Sequence, residues 1–139
     1  MPFTQNFGQA PLKSGEEQLV DGRWLLGLAG GENFSYALGV TATGTTQATA
    51  APLPANAFLV DVDASTASTG LGVALPFAVP GTALLVYNNT ANTITVYPNV
   101  KNNPATAAQD TINNGTSVTI ATHVAEIFFC AKAGVWAAK

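Results

Sequence analysis

Charge is scarce in this chain: five Lys or Arg and eight Asp or Glu stand among 139 residues, 9% in all, where about 25% is ordinary for a soluble protein. The net charge is -3 and the pI about 4.7. No basic field exists to displace counterions from a phosphate backbone, which argues against direct nucleic-acid binding. Cysteine is nearly absent too. Cys130 is alone, so no intrachain disulfide forms and the fold does not depend on an oxidising compartment. With one histidine, His123, beside that one thiol, the chain falls short of the four Cys or His ligands of a structural zinc site. A Cys–His catalytic pair has only these two residues to draw on. Long apolar runs are missing as well: no eighteen apolar residues follow one another, and Met1-Pro2-Phe3-Thr4-Gln5 opens no basic-then-apolar leader. The chain is therefore expected to be made in a cytoplasm and to cross no membrane. Loops rich in glycine, such as Gly27-Leu28-Ala29-Gly30-Gly31, lack the Lys-Ser/Thr ending of a phosphate loop. No cofactor is implied.

What is present is Thr, Asn and Ala, with short apolar alternations. Area scaling gives a folded chain of 14.2 kDa roughly 6,800 Å² of accessible surface, or about one charged side chain per 500 Å². Uncharged polar residues supply the cover, or much of the surface is buried in an assembly. The sequons at Asn33, Asn88 and Asn114 read as turn chemistry.

Pattern divides the chain near Pro52-Leu53-Pro54. Residues 1–54 read as an amino-terminal arm and extended segment, with a short strand or helix near 16–29. Ser14-Gly15-Glu16-Glu17 fits a capping box ahead of Leu19, Val20 and Trp24, and Arg23-Trp24-Leu25-Leu26-Gly27-Leu28-Ala29 reads equally well as an apolar strand. The large side chains are sparse in 41–51, so that stretch is expected to lie extended across a neighbour or to stay mobile.

Residues 55–139 alternate with period two. Val60 and Val62 share one side with Phe58, and Leu59, Asp61 and Asp63 share the other. Further strands are expected over 72–75, 83–87, 93–97, 117–122, 126–132 and 135–138, separated by turn residues. The stretches 83–87 and 93–97, joined by Asn88-Asn89-Thr90-Ala91-Asn92, suggest a hairpin. Lys132-Ala133-Gly134-Val135 suggests a second, tight hairpin that returns Trp136 toward Ile127 and Phe129. The expected fold is all-β, an antiparallel β-sandwich or small barrel, jelly-roll-like, with an extended amino-terminal arm.

Acid–base chemistry has little to stand on. Asp61 and Asp63 form a paired-carboxylate candidate with His123 and Glu126 nearby in sequence, but a solvated outer strand face is the commoner origin of such a pair. No catalytic or metal-binding residue is assigned. Phe3, Phe7, Leu12, Trp24, Phe34 and Tyr36 lack neighbouring basic residues that would favour base stacking, and are expected instead to anchor in a partner's apolar pockets.

A series of motifs, Gly72-Val73-Ala74-Leu75-Pro76, Pro80-Gly81, Val86-Tyr87-Asn88-Asn89, Thr93-Ile94-Thr95-Val96-Tyr97-Pro98, Asp110-Thr111-Ile112-Asn113 and Gly134-Val135-Trp136, resembles in its order small virion proteins of tailed bacteriophages, the capsid decoration (cement) and head-fibre-like proteins. Gly39-Val40-Thr41-Ala42 extends the likeness upstream, to about residues 35–139. The stretch 98–104 is longer than the compact Gly turn of that pattern. The resemblance implies a non-enzymatic structural protein on the capsid surface of a virion. Its partners would be the major capsid protein and copies of itself in a homotrimer, with the amino-terminal segment clamping neighbours. An alternative it leaves open is a head-fibre or tail-tip protein whose loops at Asn88–Asn92 and Asn99–Asn114 bind host glycans.

Overall fold

The computed structural model describes residues 35–65 and 70–139. Among these there is no helix. The expected helix or strand near 16–29 lies outside the described residues.

Tyr36–Lys139 form one compact unit. Its first six strands are β1 (Tyr36–Ala42), β2 (Ala51–Pro52), β3 (Leu59–Ser65), β4 (Gly72–Ala74), β5 (Ala83–Asn88) and β6 (Ile94–Tyr97). They alternate between two sheets. β1, β3 and β5 lie side by side and parallel in one sheet, and β2, β4 and β6 do the same in the other. The chain therefore winds as a β-solenoid of three rungs, each rung one strand in each sheet. Residues 36–54 supply the first rung, with Ala42 and Leu53 in the core.

The remaining strands are β7 (Asn102–Asn103), β8 (Ala108–Gln109), β9 (Thr111–Ile112), β10 (Val118–Ile120), β11 (Ala125–Lys132) and β12 (Val135–Ala138). The chain now reverses: β10 pairs antiparallel with β6, and β11 antiparallel with β5. This return rung ends the winding. β12 folds back on β11 and β9 adds parallel to β12. The sheets are thus β1-β3-β5-β11-β12-β9 and β10-β6-β4-β2, with β7 and β8 as a separate ribbon.

The all-β expectation holds, but the antiparallel sandwich or jelly-roll barrel does not. Alternation identifies a strand without naming its partner, and the strands beside one another here are about two dozen residues apart. The register pairs Tyr36 with Leu59, 23 positions on (59 minus 36), and Leu59 with Leu85, 26 positions on (85 minus 59). The hairpin expected from 83–87 and 93–97 is likewise a corner, since β5 and β6 belong to different sheets. The tight hairpin at Lys132–Val135 is present: Lys132 pairs with Val135 and Gly134 takes φ +83°. Its Trp136 packs on the opposite face from Ile127 and Phe129, inside with Phe128 and Cys130.

The core is aliphatic and closely filled. Val60, Val62, Val86, Phe128 and Trp136 from the first sheet meet Val73, Ile94, Val96 and Ile120 from the second, all 1% exposed or less. At roughly 1.5–3 kcal/mol per fully buried large side chain, this cluster is the main favourable term in folding. The stretch 41–51, expected to lie extended across a neighbour or to stay mobile, runs in the structure from the end of β1 through a turn to β2. Thr43 bridges to Gly72, and a turn closed by the Thr49 amide donating to the Thr46 carbonyl at 3.0 Å carries the chain from β1 to β2. Gln47 Nε2 ties that turn to the carbonyls of Pro98 and Asn99, at 3.1 and 3.0 Å.

Candidate interaction surface

Because the side chains of a strand alternate, the six-stranded sheet that buries Val60, Val62, Leu84 and Val86 turns the residues between them outward. Those residues are largely apolar. Leu59 on β3 pairs with Leu85 on β5, and Leu85 with Ile127 on β11. Phe129 lies opposite Ala83 and Ala137. Tyr36 and Leu38, on β1, are 66% and 63% exposed and Phe129 is 41% exposed. A sheet with one face in the core normally presents polar residues on the other. Here the outward side chains near the sheet's centre are apolar too, with Leu59, Leu85 and Ile127 half-buried between the exposed Tyr36, Leu38 and Phe129, and an outward apolar grouping of this kind is the mark of a contact surface.

Polar groups sit at the margins of this face. Asp61 and Asp63 follow Leu59 on β3, with Asp61 beside Tyr87 of β5. Asp61 Oδ1 is buried and has no hydrogen-bond partner among the described residues, an arrangement that costs about 1–3 kcal/mol while the group stays unsatisfied. Asp63 is exposed, its Oδ2 3.9 Å from where a Cβ on Gly39 would stand. At the other margin the backbone of Lys139 exchanges both hydrogen bonds with Ile127, at 3.0 Å each, so its side chain shares the outer face.

Of the residues expected to anchor a partner, Tyr36 lies on this face, while Phe3, Phe7, Leu12, Trp24 and Phe34 lie outside the described residues. The candidates for acid–base chemistry do not converge. Glu126 pairs with Val86 and therefore points to the opposite side of the sheet from Asp61. His123 is an exposed turn residue at φ +59°, its amide donating to the Asn88 carbonyl at 2.8 Å. From the start of β11, just after His123, to Cys130 is about 16 Å at 3.3 Å per residue, which separates the two. Cys130 is buried, its Sγ 3.0 Å from the Lys132 carbonyl oxygen. Burial pushes its thiol above the ordinary value, with Asp110 adding to the rise and backbone contacts at Lys132 and Val135 opposing it.

Two polar clusters are internal. Asn88, fully buried, places Nδ2 within reach of the carbonyls of Asn92, Ile120 and Ala121 at 2.8, 3.0 and 3.0 Å, and its Oδ1 accepts from the Thr90 amide at 3.0 Å. The Thr122 hydroxyl donates to the Thr90 carbonyl. Asp110, also buried, accepts from the Ala78 amide at 2.7 Å and from Asn103 Nδ2 at 2.9 Å. Both clusters pin the corners of the solenoid.

The outward apolar side chains of β5 and β11 stand in consecutive apolar runs of the sequence, and two apolar faces on one strand look like a continuous core run. Only the strand order shows that these side chains turn away from the core. No family model matches the chain, and no curated protein or solved structure is significantly similar to it.

Proposed function

We propose that this protein is a virion structural component of a tailed bacteriophage, a capsid decoration (cement) protein that acts by subunit contact and not by turnover. The observation that carries the reading is the outward apolar face of the six-stranded sheet, where Tyr36, Leu38 and Phe129 are exposed and Leu59, Leu85 and Ile127 stand half-buried between them. Little charge has to be desolvated when such a face is covered, and about 800 Å² buried per partner makes a specific interface of standard size. The sequence resemblance supplies the setting: copies assembled on capsomers of the major capsid protein, with the amino-terminal segment as the clamp. Repetition around a shell multiplies a modest single-contact affinity.

The test is rebinding. Purified full-length protein added to undecorated capsids is expected to cosediment with them and to raise the temperature at which they release their contents. A protein that stays monomeric and leaves capsids unaltered overturns the reading. The head-fibre or tail-tip alternative assigns glycan recognition to Asn88–Asn92 and Asn99–Asn114. It is the weaker reading, because Asn88, Thr90 and Asn103 are buried and engaged with neighbouring groups of the same chain. Specific binding to a glycan array would reverse that ranking.

A further inference from the structure

We infer that the open face of the six-stranded sheet is occupied by the same face of a second copy, related by a two-fold axis running along the strands. The inference rests on the reading of this face as a contact surface. Three features of the register point to a copy.

The first is charge. Asp61 lies on β3 and Lys139 follows β12, and between them stand β5 and β11. A two-fold placed midway between β5 and β11 lays β3 of one copy over β12 of the other. Each Asp61 then faces the partner's Lys139, one residue pair further along the strand, about 7 Å and within a lysine's reach. Such a contact is self-complementary, which an isologous interface requires.

The second is shape. Phe129 on β11 is level with Ala83 on β5, and Ile127 is level with Leu85. The same two-fold sets β11 against the partner's β5, so each Phe129 meets the small Ala83 of the other copy and each Ile127 meets a Leu85. Large residues oppose small ones at the centre, as two sheets packed about 10 Å apart need.

The third is size. Five strands from β1 to β12, about 4.8 Å apart and about five residues long, give a face of about 24 by 17 Å, or roughly 400 Å² in projection. Side-chain relief raises the accessible area toward the ~800 Å² per partner of a stable interface. Two copies, and not the three that the sequence resemblance implies, follow from this symmetry.

Sedimentation velocity on the full-length protein is expected to give a dimer, twice 14.2 kDa, at micromolar concentration. Phe129→Asp should weaken dimerisation at least about thirty-fold, the effect of a central anchor residue, with circular dichroism unchanged. The symmetry has its own test. Asp61→Lys and Lys139→Asp each place like charges across the axis and should each weaken the homodimer, whereas an equimolar mixture should form a heterodimer in which both contacts are restored. A monomer, a trimer, or a dimer indifferent to all these substitutions overturns the inference. Capsid rebinding is scored separately. A dimer without capsid affinity supports the pairing and overturns the virion reading, and a monomer that decorates capsids does the reverse.

Discussion

Asn88 is a single side chain holding three parts of the chain. Its amide lies against carbonyls of the corner at Asn92 and of the return strand at Ile120 and Ala121. Asn88→Ala removes the donor and should cost about 2–4 kcal/mol, since several buried groups lose partners at once. Asn88→Asp should cost more than Asn88→Ala, because a carboxylate oxygen would face carbonyl oxygens. Denaturant unfolding of both variants checks the order. Cys130 makes a prediction of a different kind. Its pKa is raised above the ordinary value near 9, so folding favours the neutral thiol. That contribution is complete below the unfolded value near 9 and is lost as pH rises through the higher folded value. Stability should therefore decline on the alkaline side, and a Cys130→Ala variant should lose part of that slope. Alkylation by iodoacetamide at neutral pH should proceed only in denaturant.

The turn between β1 and β2 depends on a glycine. Gly44 sits at φ +69°, and a Cβ there would stand 2.3 Å from the Thr49 hydroxyl and 2.4 Å from the Thr49 carbonyl oxygen. Gly44→Ala combines a left-handed backbone with a clash that includes main-chain atoms. It should destabilise by about 3 kcal/mol or more, lowering the melting temperature by about 10 °C or more, measurable by calorimetry. Elements of this kind were only partly legible in the sequence. Strands were, because Val60 and Val62 alternate with Asp61 and Asp63, and so was the turn at Gly134. Pairing was not. The unequal rung lengths hide any repeat, and Asn88–Asn92 has the composition of a hairpin loop although it turns a corner between sheets. Of the residues expected to face a partner, Tyr36 lies on the outward face; Leu38 reads as part of the amino-terminal arm, whose strand β1 the sequence pattern does not show, and Leu85 and Phe129 read as ordinary strand residues until the strand order shows that they turn away from the core.

Across the molecule, protection should follow position in the sheet. β5 is flanked by β3 and β11, and its inward residues Leu84 and Val86 are 1% and 0% exposed. Ala37 and Val40 on β1 point inward yet are only partly buried. Hydrogen exchange should be slowest for amides of β5 and β11 and faster on β1, as local opening starts where fewer contacts hold. Uniform exchange across the sheet would contradict that gradient.

The reversal of β10 and β11 against β6 and β5 has a practical corollary. Parallel rungs related by a shift of about 4.8 Å can be duplicated, as in other one-dimensional architectures, but the antiparallel return accepts no successor. Additional windings belong upstream of it. A graft repeating residues 59–84, the 26-residue step from Leu59 to its partner Leu85, would lengthen the solenoid by one rung and leave its stopper intact, making the chain a ruler that can be recut on one side of that stopper only.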